Sequence, residues 1–207
     1  SINYMGNRNN PANLSANIPN SENTSVFVTN LPPDITYTEL FRALALRPCG
    51  RIFATHINEA DIDKGHMFSA AKIVFFTKVG ARTFLELGLT IRGLRARIVP
   101  NRIRVAEPQI PQSHTRVLHI TGPAHLVSIH NLREVFKAHK LEHQDEEIII
   151  HPASAFHPPG WNNLEWRFAS YRCQAAIAKR IIETKYRKLG MYVRFGLDPC
   201  DPLAIGF

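Results

Sequence analysis

The stretch from Ser25 to Leu46, SVFVTNLPPDITYTELFRALAL, carries the signals that decide the fold. Its first seven residues alternate between the two sides of an extended chain, as a strand with one buried face does. Thr36 can cap a helix, because Glu39 follows three residues later and can reach back to it. An apolar stripe at helical spacing comes next, formed by Leu40, Phe41 and Leu44. The stretch therefore predicts a strand, a turn and an amphipathic helix.

The same order of signals continues and then repeats. The first unit goes on with RIFATHI (51–57) as a strand, SAAKIVFF (69–76) as a strand, a short helix (79–87) and RGLRARIVP (92–100) as a last strand. The second unit runs through RVLHITG (116–122), SIHNLREVFKAH (128–139), EEIIIHP (146–152), NLEWRFASY (163–171), CQAAIAKRIIETKYRKLG (173–190) and MYVRFGL (191–197). Two copies of the order βαββαβ predict an α+β protein with two tandem ferredoxin-like domains. Each is expected to be a four-stranded antiparallel sheet with both helices on one face.

The breaks between these signals give the expected domain boundaries. Residues 1–24 are rich in Asn, Ser and Pro and predict a flexible segment. The first domain is expected at 25–105, and the second at 115–200. Between them residues 106–114, AEPQIPQSH, contain two prolines and predict a linker. Residues 201–207 are expected to form a C-terminal tail.

Charge and composition narrow the class of function. The net charge is +8 and the pI is near 9.7, which favours a polyanionic partner. Residues 25–106 hold 12 Lys and Arg against 6 Asp and Glu, whereas residues 115–200 hold 12 against 8, so the first unit is the better electrostatic candidate. Acidic residues gather in a predicted surface patch at Glu142, Asp145, Glu146 and Glu147.

Several classes of function are disfavoured by missing patterns. Cys49, Cys173 and Cys200 are widely spaced, which predicts buried or half-buried thiols rather than a disulfide framework or a zinc site. The sequence contains no phosphate-binding glycine loop, nucleophile elbow or H-E-x-x-H motif. Nor does it contain the roughly 18 consecutive apolar residues of a membrane span. We therefore expect a non-enzymatic, intracellular protein of the nucleus or cytoplasm, without cofactor or metal.

The first strand resembles the RNA recognition motif (RRM) family. Residues 26–31, VFVTNL, match the family's apolar-aromatic-apolar-x-Asn-Leu hexapeptide at every specified position. The third strand departs from the family's octapeptide, because Ala70 and Lys72 occupy the places of its two stacking aromatic residues. This register puts Ala71 and Ile73 in the core, since the opposite register would bury Lys72 without a partner.

The resemblance implies strand order 4-1-3-2 and RNA binding on the open sheet face of the first unit. The expected RNA-binding residues are Phe27, His56, Lys72, Arg97, Asn101, Arg102 and Arg104. Phe27 would stack on a base, and the arginines would hold phosphates. Two alternatives stay open: the N-terminal segment, the linker or the other domain could cover Phe27, and the arginines could form a solvated basic edge.

The second unit departs further from the RRM pattern. His119 stands at the aromatic position of its first strand, and Asn163 and Glu165 stand at the stacking positions of its third strand. The implied strand order places Glu165, His119 and Arg194 in one row, where they could satisfy one another. The repeat and the stretches ENTSVFVTNLPPDITYTEL (22–40) and LEWRFASYRCQA (164–175) also resemble uncharacterised fungal RRM proteins.

Two functions follow from these patterns. The first is a post-transcriptional role in which the first RRM binds single-stranded RNA. The alternative is an adaptor that holds a protein partner, through the degenerate second RRM among other surfaces, with little or no RNA binding. Trp166 is expected in the core because it alternates with Leu164 and Phe168.

Overall fold

The computed structural model of the chain describes residues 17–152 and 158–206. Residues 1–16, most of the segment predicted to be flexible, lie outside the described residues. Among the residues that are described, no helix is both long and apolar enough to cross a bilayer.

Two four-stranded antiparallel sheets form the framework. The first unit contains β1 (Ser25–Leu31), α1 (Tyr37–Ala45), β2 (Ile52–Asn58), β3 (Ser69–Phe75), α2 (Lys78–Leu87), β4 (Thr90–Ile91), β5 (Leu94–Arg95) and β6 (Arg97–Pro100). The second contains β7 (Val117–Pro123), α3 (Ile129–Ala138), β8 (Asp145–His151), β9 (Trp161–Phe168), α4 (Ala176–Ile181) and β10 (Tyr192–Phe195). The sheets are ordered β2-β3-β1-β6 and β10-β7-β9-β8. Both orders are the predicted 4-1-3-2, so each unit is an RRM-like ferredoxin fold.

The predicted cap and register of the first unit are confirmed. The Thr36 hydroxyl accepts a hydrogen bond from the Glu39 amide at 3.2 Å and begins α1. The Glu39 carboxylate does not complete the reciprocal bond to Thr36; it pairs with Arg92 at 2.7 Å instead. The buried core consists mainly of Val26, Val28, Leu40, Phe41, Leu44, Ala71, Ile73, Phe75 and Phe84. The open face therefore carries the alternate residues of each strand.

The second unit has its own core on the helical side of its sheet. Trp166 is fully buried there, as predicted, and its indole N–H donates to the Asp145 carboxylate at 2.7 Å. The other large members of this core include Leu118, Ile120, Leu132, Phe136, Leu164, Phe168 and Ile182. Because each unit has a contiguous core under its own sheet, each satisfies the layered architecture of the fold independently.

Two predicted elements are more broken than expected. The stretch 92–100 is not one strand, because Arg92 and Gly93 both have positive φ and form a tight hairpin between β4 and β5. The predicted long helix 173–190 contains only six regular α-helical residues, Ala176–Ile181. π-helical turns flank them at Tyr171–Ala175 and Ile182–Tyr186. Within the first of these, Arg172 and Cys173 have non-helical backbone angles. At the far end the Thr184 hydroxyl donates to the Arg180 carbonyl at 2.7 Å, which competes with regular helical bonding.

The second unit covers the edge strand β2 of the first. The Thr55 amide donates to the Ser170 hydroxyl, and the Ile52 amide donates to the Asp198 carboxylate, both at 2.9 Å. Beside this edge an apolar cluster joins the two units, formed by Phe53, Val74, Phe76 and Tyr171. A sheet edge with these amides satisfied no longer offers a template for a further strand.

Arg116 is the buried centre of the contact between the units. Its guanidinium is fully buried, bonds Asp198 at 2.8 Å and Glu146, and lies 3.8 Å from the centroid of the Phe41 ring in α1. Burial opposes its charge, but the carboxylates of Asp198 and Glu146 hold the pKa of Arg116 above its ordinary value. The prediction that Glu146 belongs to an acidic surface patch is therefore wrong.

The residues just before β1 also pack on the folded part. The Asn23 amide donates to the Asn101 carbonyl at 3.1 Å, and the Thr24 hydroxyl donates to the Val105 carbonyl at 2.9 Å. Both residues are buried, although sequence analysis places them in the flexible segment. Of the cysteines, Cys49 and Cys200 are buried as predicted. The prediction is wrong for Cys173, which is exposed at a point where the backbone is not helical.

Candidate nucleic-acid interface

Three predicted site residues form one row across the open face of the first sheet. Phe27 in β1 lies opposite Lys72 in β3, and Lys72 lies opposite His56 in β2. Directly opposed residues in an antiparallel sheet project from the same face at about 4.5–5.5 Å between Cβ atoms. The sequence placed Phe27, Lys72 and His56 together correctly. His56 is exposed, whereas Phe27 and Lys72 are half-buried.

This row lies in a groove of about 840 Å³. The loop between β2 and β3 forms one wall, where Met67 and Phe68 expose 57% and 48% of their surface. These two side chains give the groove an apolar wall and a second aromatic ring beside Phe27. Sequence reasoning missed them, because the preceding residues NEADIDKGH read as a polar loop with no strand or helix periodicity.

The other end of the same face is closed. Val74 belongs to the open side of β3, but it is only 2% exposed, because Tyr171 of the second unit and the linker residue Ile110 pack over this end. The rings of Phe76 and Tyr171 are 5.2 Å apart. The surface left for a ligand is therefore the half of the face that carries Phe27, His56 and Lys72.

Lys72 contributes a positive charge that no carboxylate among the described residues pairs with. Burial lowers the pKa of Lys72, and Arg172 of the second unit lowers it further. Arg172 itself is exposed. Lys72 thus places a positive charge in the groove without a counter-charge from the described residues, which favours an anionic ligand there.

The arginines between β4 and the linker differ in their surroundings. Arg97 lies opposite Thr29 on the open face and is exposed, and Arg102 is exposed further along the chain. Arg104 is half-buried and donates to the Ile18 carbonyl at 2.6 Å, so the N-terminal segment already uses part of its guanidinium. Arg92 pairs with Asp34 and Glu39. Arg95, Arg97 and Arg102 are exposed, and of these Arg97 lies on the open face beside the groove residue Thr29.

Asn101 lines the groove but has a structural part as well. Its amide donates to the Ser25 hydroxyl at 3.1 Å, and its amide oxygen accepts from the Ile103 backbone at 3.2 Å. These bonds fix the chain where it leaves β6 and passes the open face. The side chain of Asn101 is therefore largely occupied by the fold itself.

The open face of the second sheet carries the predicted row of charged and titratable side chains, which differ from those of the first sheet. Arg194, His119 and Glu165 lie opposite one another on β10, β7 and β9. Burial lowers the pKa of His119, and Arg194 lowers it further. Burial opposes ionisation of Glu165, but a 2.6 Å hydrogen bond from Arg167 keeps the pKa of Glu165 below its ordinary value. A carboxylate therefore stands at the middle of this face.

Aromatic side chains on the second face lie towards one end. Trp161 and Tyr192 stack with ring centroids 5.9 Å apart and an angle of 22° between their planes. Tyr192 is 51% exposed. The pair occupies the start of β9 and of β10, away from the position that corresponds to Phe27.

Comparisons with known proteins give similarity only at the level of solved structures. No protein-family model and no curated protein matches the chain. RNA recognition domains 1 and 2 of Sex-lethal from Drosophila melanogaster are 20% identical over 84% of this chain and 100% of that one, with a TM-score of 0.30. The first two RRM domains of a yeast poly(U)-binding protein are 17% identical over 84% and 99%, with a TM-score of 0.31. The N-terminal three RNA-binding domains of a yeast splicing factor are 14% identical over 84% and 64%, with a TM-score of 0.35. At these values the RRM-like fold of the chain rests on its own strand order and register.

Proposed function

We propose that this chain binds single-stranded RNA in the groove on the open face of its first sheet. The observation that carries the proposal is the row of Phe27, Lys72 and His56, which places a ring, a cation and an imidazole side by side in one groove. Stacking rings and backbone-tracking cations are the two elements that single-strand binding needs. An RNA partner implies a post-transcriptional role in the nucleus or cytoplasm.

Each groove residue has a part in this proposal. Phe27 stacks one base, and Phe68 from the loop wall contacts a neighbouring base. Lys72 holds a phosphate in the groove, since no carboxylate among the described residues neutralises its charge. The exposed guanidiniums of Arg97 and Arg102 extend the phosphate path, and His56 offers a hydrogen bond to a base edge.

The second candidate function is an adaptor that binds a protein partner. It is favoured by the carboxylate of Glu165 in the middle of the second open face, which repels phosphate where an RNA-binding sheet would have a ring. In this case the apolar wall of Met67 and Phe68 would receive a peptide side chain rather than a base. The two functions differ in their response to salt, because only the first depends on counterion release.

Fluorescence anisotropy of the full chain with a pool of random single-stranded RNA tests the first function. Binding is expected to weaken steadily as salt rises. Phe27→Ala should weaken it by about 5- to 150-fold, corresponding to the roughly 1–3 kcal/mol of one stacked base. Arg102→Ala should reduce the salt dependence by about one counterion.

The matched control is Tyr192→Ala, which removes an exposed ring from the second sheet and should leave RNA affinity unchanged. Binding that is equal in Phe27→Ala, Arg102→Ala and the unmodified protein at low salt would overturn the proposal. So would an absence of RNA binding at low salt, and the adaptor function would then be pursued with peptide ligands.

A further inference from the structure

Three potential metal ligands converge on the open face of the second sheet. The Nε2 atom of His151 lies 3.1 Å from Oε2 of Glu165, and Nε2 of His119 lies 3.9 Å from the same oxygen. One donor atom from each of the three residues falls within 4.8 Å of the other two. They come from β7, β8 and β9, so they are not close in sequence and form no recognisable spacing motif.

The geometry points to a binding site for one divalent transition-metal ion, such as Zn²⁺, held by His119, His151 and Glu165. Two imidazoles and one carboxylate form a donor set that suits zinc and its neighbours, whereas Mg²⁺ and Ca²⁺ prefer oxygen ligands alone. In a tetrahedral zinc site the ligand atoms are about 3.3 Å apart, as follows from bond lengths near 2.0–2.1 Å. The two separations from Oε2 of Glu165, 3.1 and 3.9 Å, lie on either side of that value.

Neighbouring residues shape the positions of the ligands. The His119 ring packs over Gly196, where a Cβ would lie 2.7 Å from Nε2, so the glycine leaves the room that this ring occupies. Arg167 donates to Oε1 of Glu165 at 2.6 Å and leaves Oε2 directed to the histidines. Such outer contacts orient the donors of known metal sites and change their affinity by roughly 10- to 100-fold.

A buried polar atom at the same place lacks a hydrogen-bond donor. The amide oxygen of Asn163 is buried and has no partner among the described residues. Asn163 lies opposite His151 and lines one small pocket together with His119. A site with three protein ligands keeps a water in its fourth position, and such a water could donate to an oxygen of this kind.

The local charges act in both directions. Arg167 and Arg194 repel a cation, which limits the affinity. Glu165 supplies the one negative charge among the three ligands, and a histidine must be unprotonated to bind metal, so the affinity should rise with pH. An ion here would join β7, β8 and β9 and stabilise the second unit against unfolding.

Calorimetric titration of the full chain with Zn²⁺ tests this proposal, with the protein free of any histidine tag. A Cys173→Ser background removes the exposed thiol as a competing ligand. We expect one ion per chain and a zinc-dependent rise in the melting temperature. His119→Ala and Glu165→Gln should each weaken zinc binding by at least about tenfold. The control His130→Ala, which removes an exposed imidazole from α3, should bind as the parent does.

Cobalt substitution gives a second reading that does not depend on the variants. Co²⁺ in this site should show visible ligand-field bands typical of tetrahedral nitrogen and oxygen ligands, without thiolate charge transfer. Zinc binding weaker than about 1 mM, or equal binding by the parent, His119→Ala and Glu165→Gln, would overturn the site. Circular dichroism of each variant at matched concentration identifies any loss of affinity that comes from unfolding.

Discussion

The open faces of the two sheets differ at corresponding positions of the same strand order. Phe27 of the first face corresponds to His119 of the second, and their cross-strand partners are Lys72 and Glu165. The inward residues of both sheets are mostly apolar and buried. The inward positions therefore determine this fold, whereas the outward positions determine what each sheet can bind.

The largest effect is expected from Arg116, which is buried where the second unit meets α1 of the first. Arg116→Met removes the buried guanidinium between the units and leaves Glu146 and Asp198 as uncompensated buried carboxylates. The free energy of unfolding should fall by about 3–5 kcal/mol. Urea denaturation followed by tryptophan fluorescence measures it. Arg133→Ala, which breaks an exposed pair with Asp145, should cost less than about 1 kcal/mol. Equal effects of the two variants would show that the buried pairs of Arg116 add no more stability than an exposed pair.

The next effect comes from giving the first face the charge of the second. Lys72→Glu puts a carboxylate in the groove at the position that corresponds to Glu165. RNA affinity at low salt should fall by roughly tenfold or more, and the difference from the unmodified protein should shrink as salt screens the repulsion. Lys72→Gln should lie between the two proteins. A Lys72→Glu protein with unchanged affinity at every salt concentration would show that phosphates do not approach this residue.

The smallest effect concerns the acid stability of the second face. Because burial and Arg194 lower the pKa of His119, the unfolded chain binds more protons than the folded chain just below pH 6.5. The free energy of unfolding should therefore fall as the pH drops below about 6.5. Arg167 and His151 oppose protonation of His119, whereas Glu165 favours it. Urea denaturation at about pH 7.5 and 5.5, with chelator present, measures the change. His119→Asn should lose less stability on acidification than the exposed-site control His130→Asn, and equal losses would contradict this explanation.

Much of the fold could be predicted from local patterns. The Thr36 cap, the core positions of Ala71 and Ile73 and the burial of Trp166 all follow from residues within one or two turns or strands. Alternation fixes which side of a strand is buried, since a shift by one residue would expose the core. For the same reason the row of Phe27, Lys72 and His56 could be placed from the sequence.

Other features depend on contacts between distant parts of the chain. Nothing near Arg116 in the sequence indicates that it is buried, because its partners Glu146 and Asp198 lie 30 and 82 residues away. Phe68 becomes a wall of the groove only through the course of the preceding loop. The convergence of His119 and His151 likewise depends on the pairing of three strands.

The measurement that tests the central claim most directly is an amide-resolved NMR titration of the full chain with short single-stranded RNA. The claim is that the first open face binds RNA and the second does not. We expect shifts for Phe27, His56 and Lys72 with the surrounding groove, and none for His119, Glu165 and Arg194. Shifts confined to the second face, or spread equally over both faces, would contradict the claim.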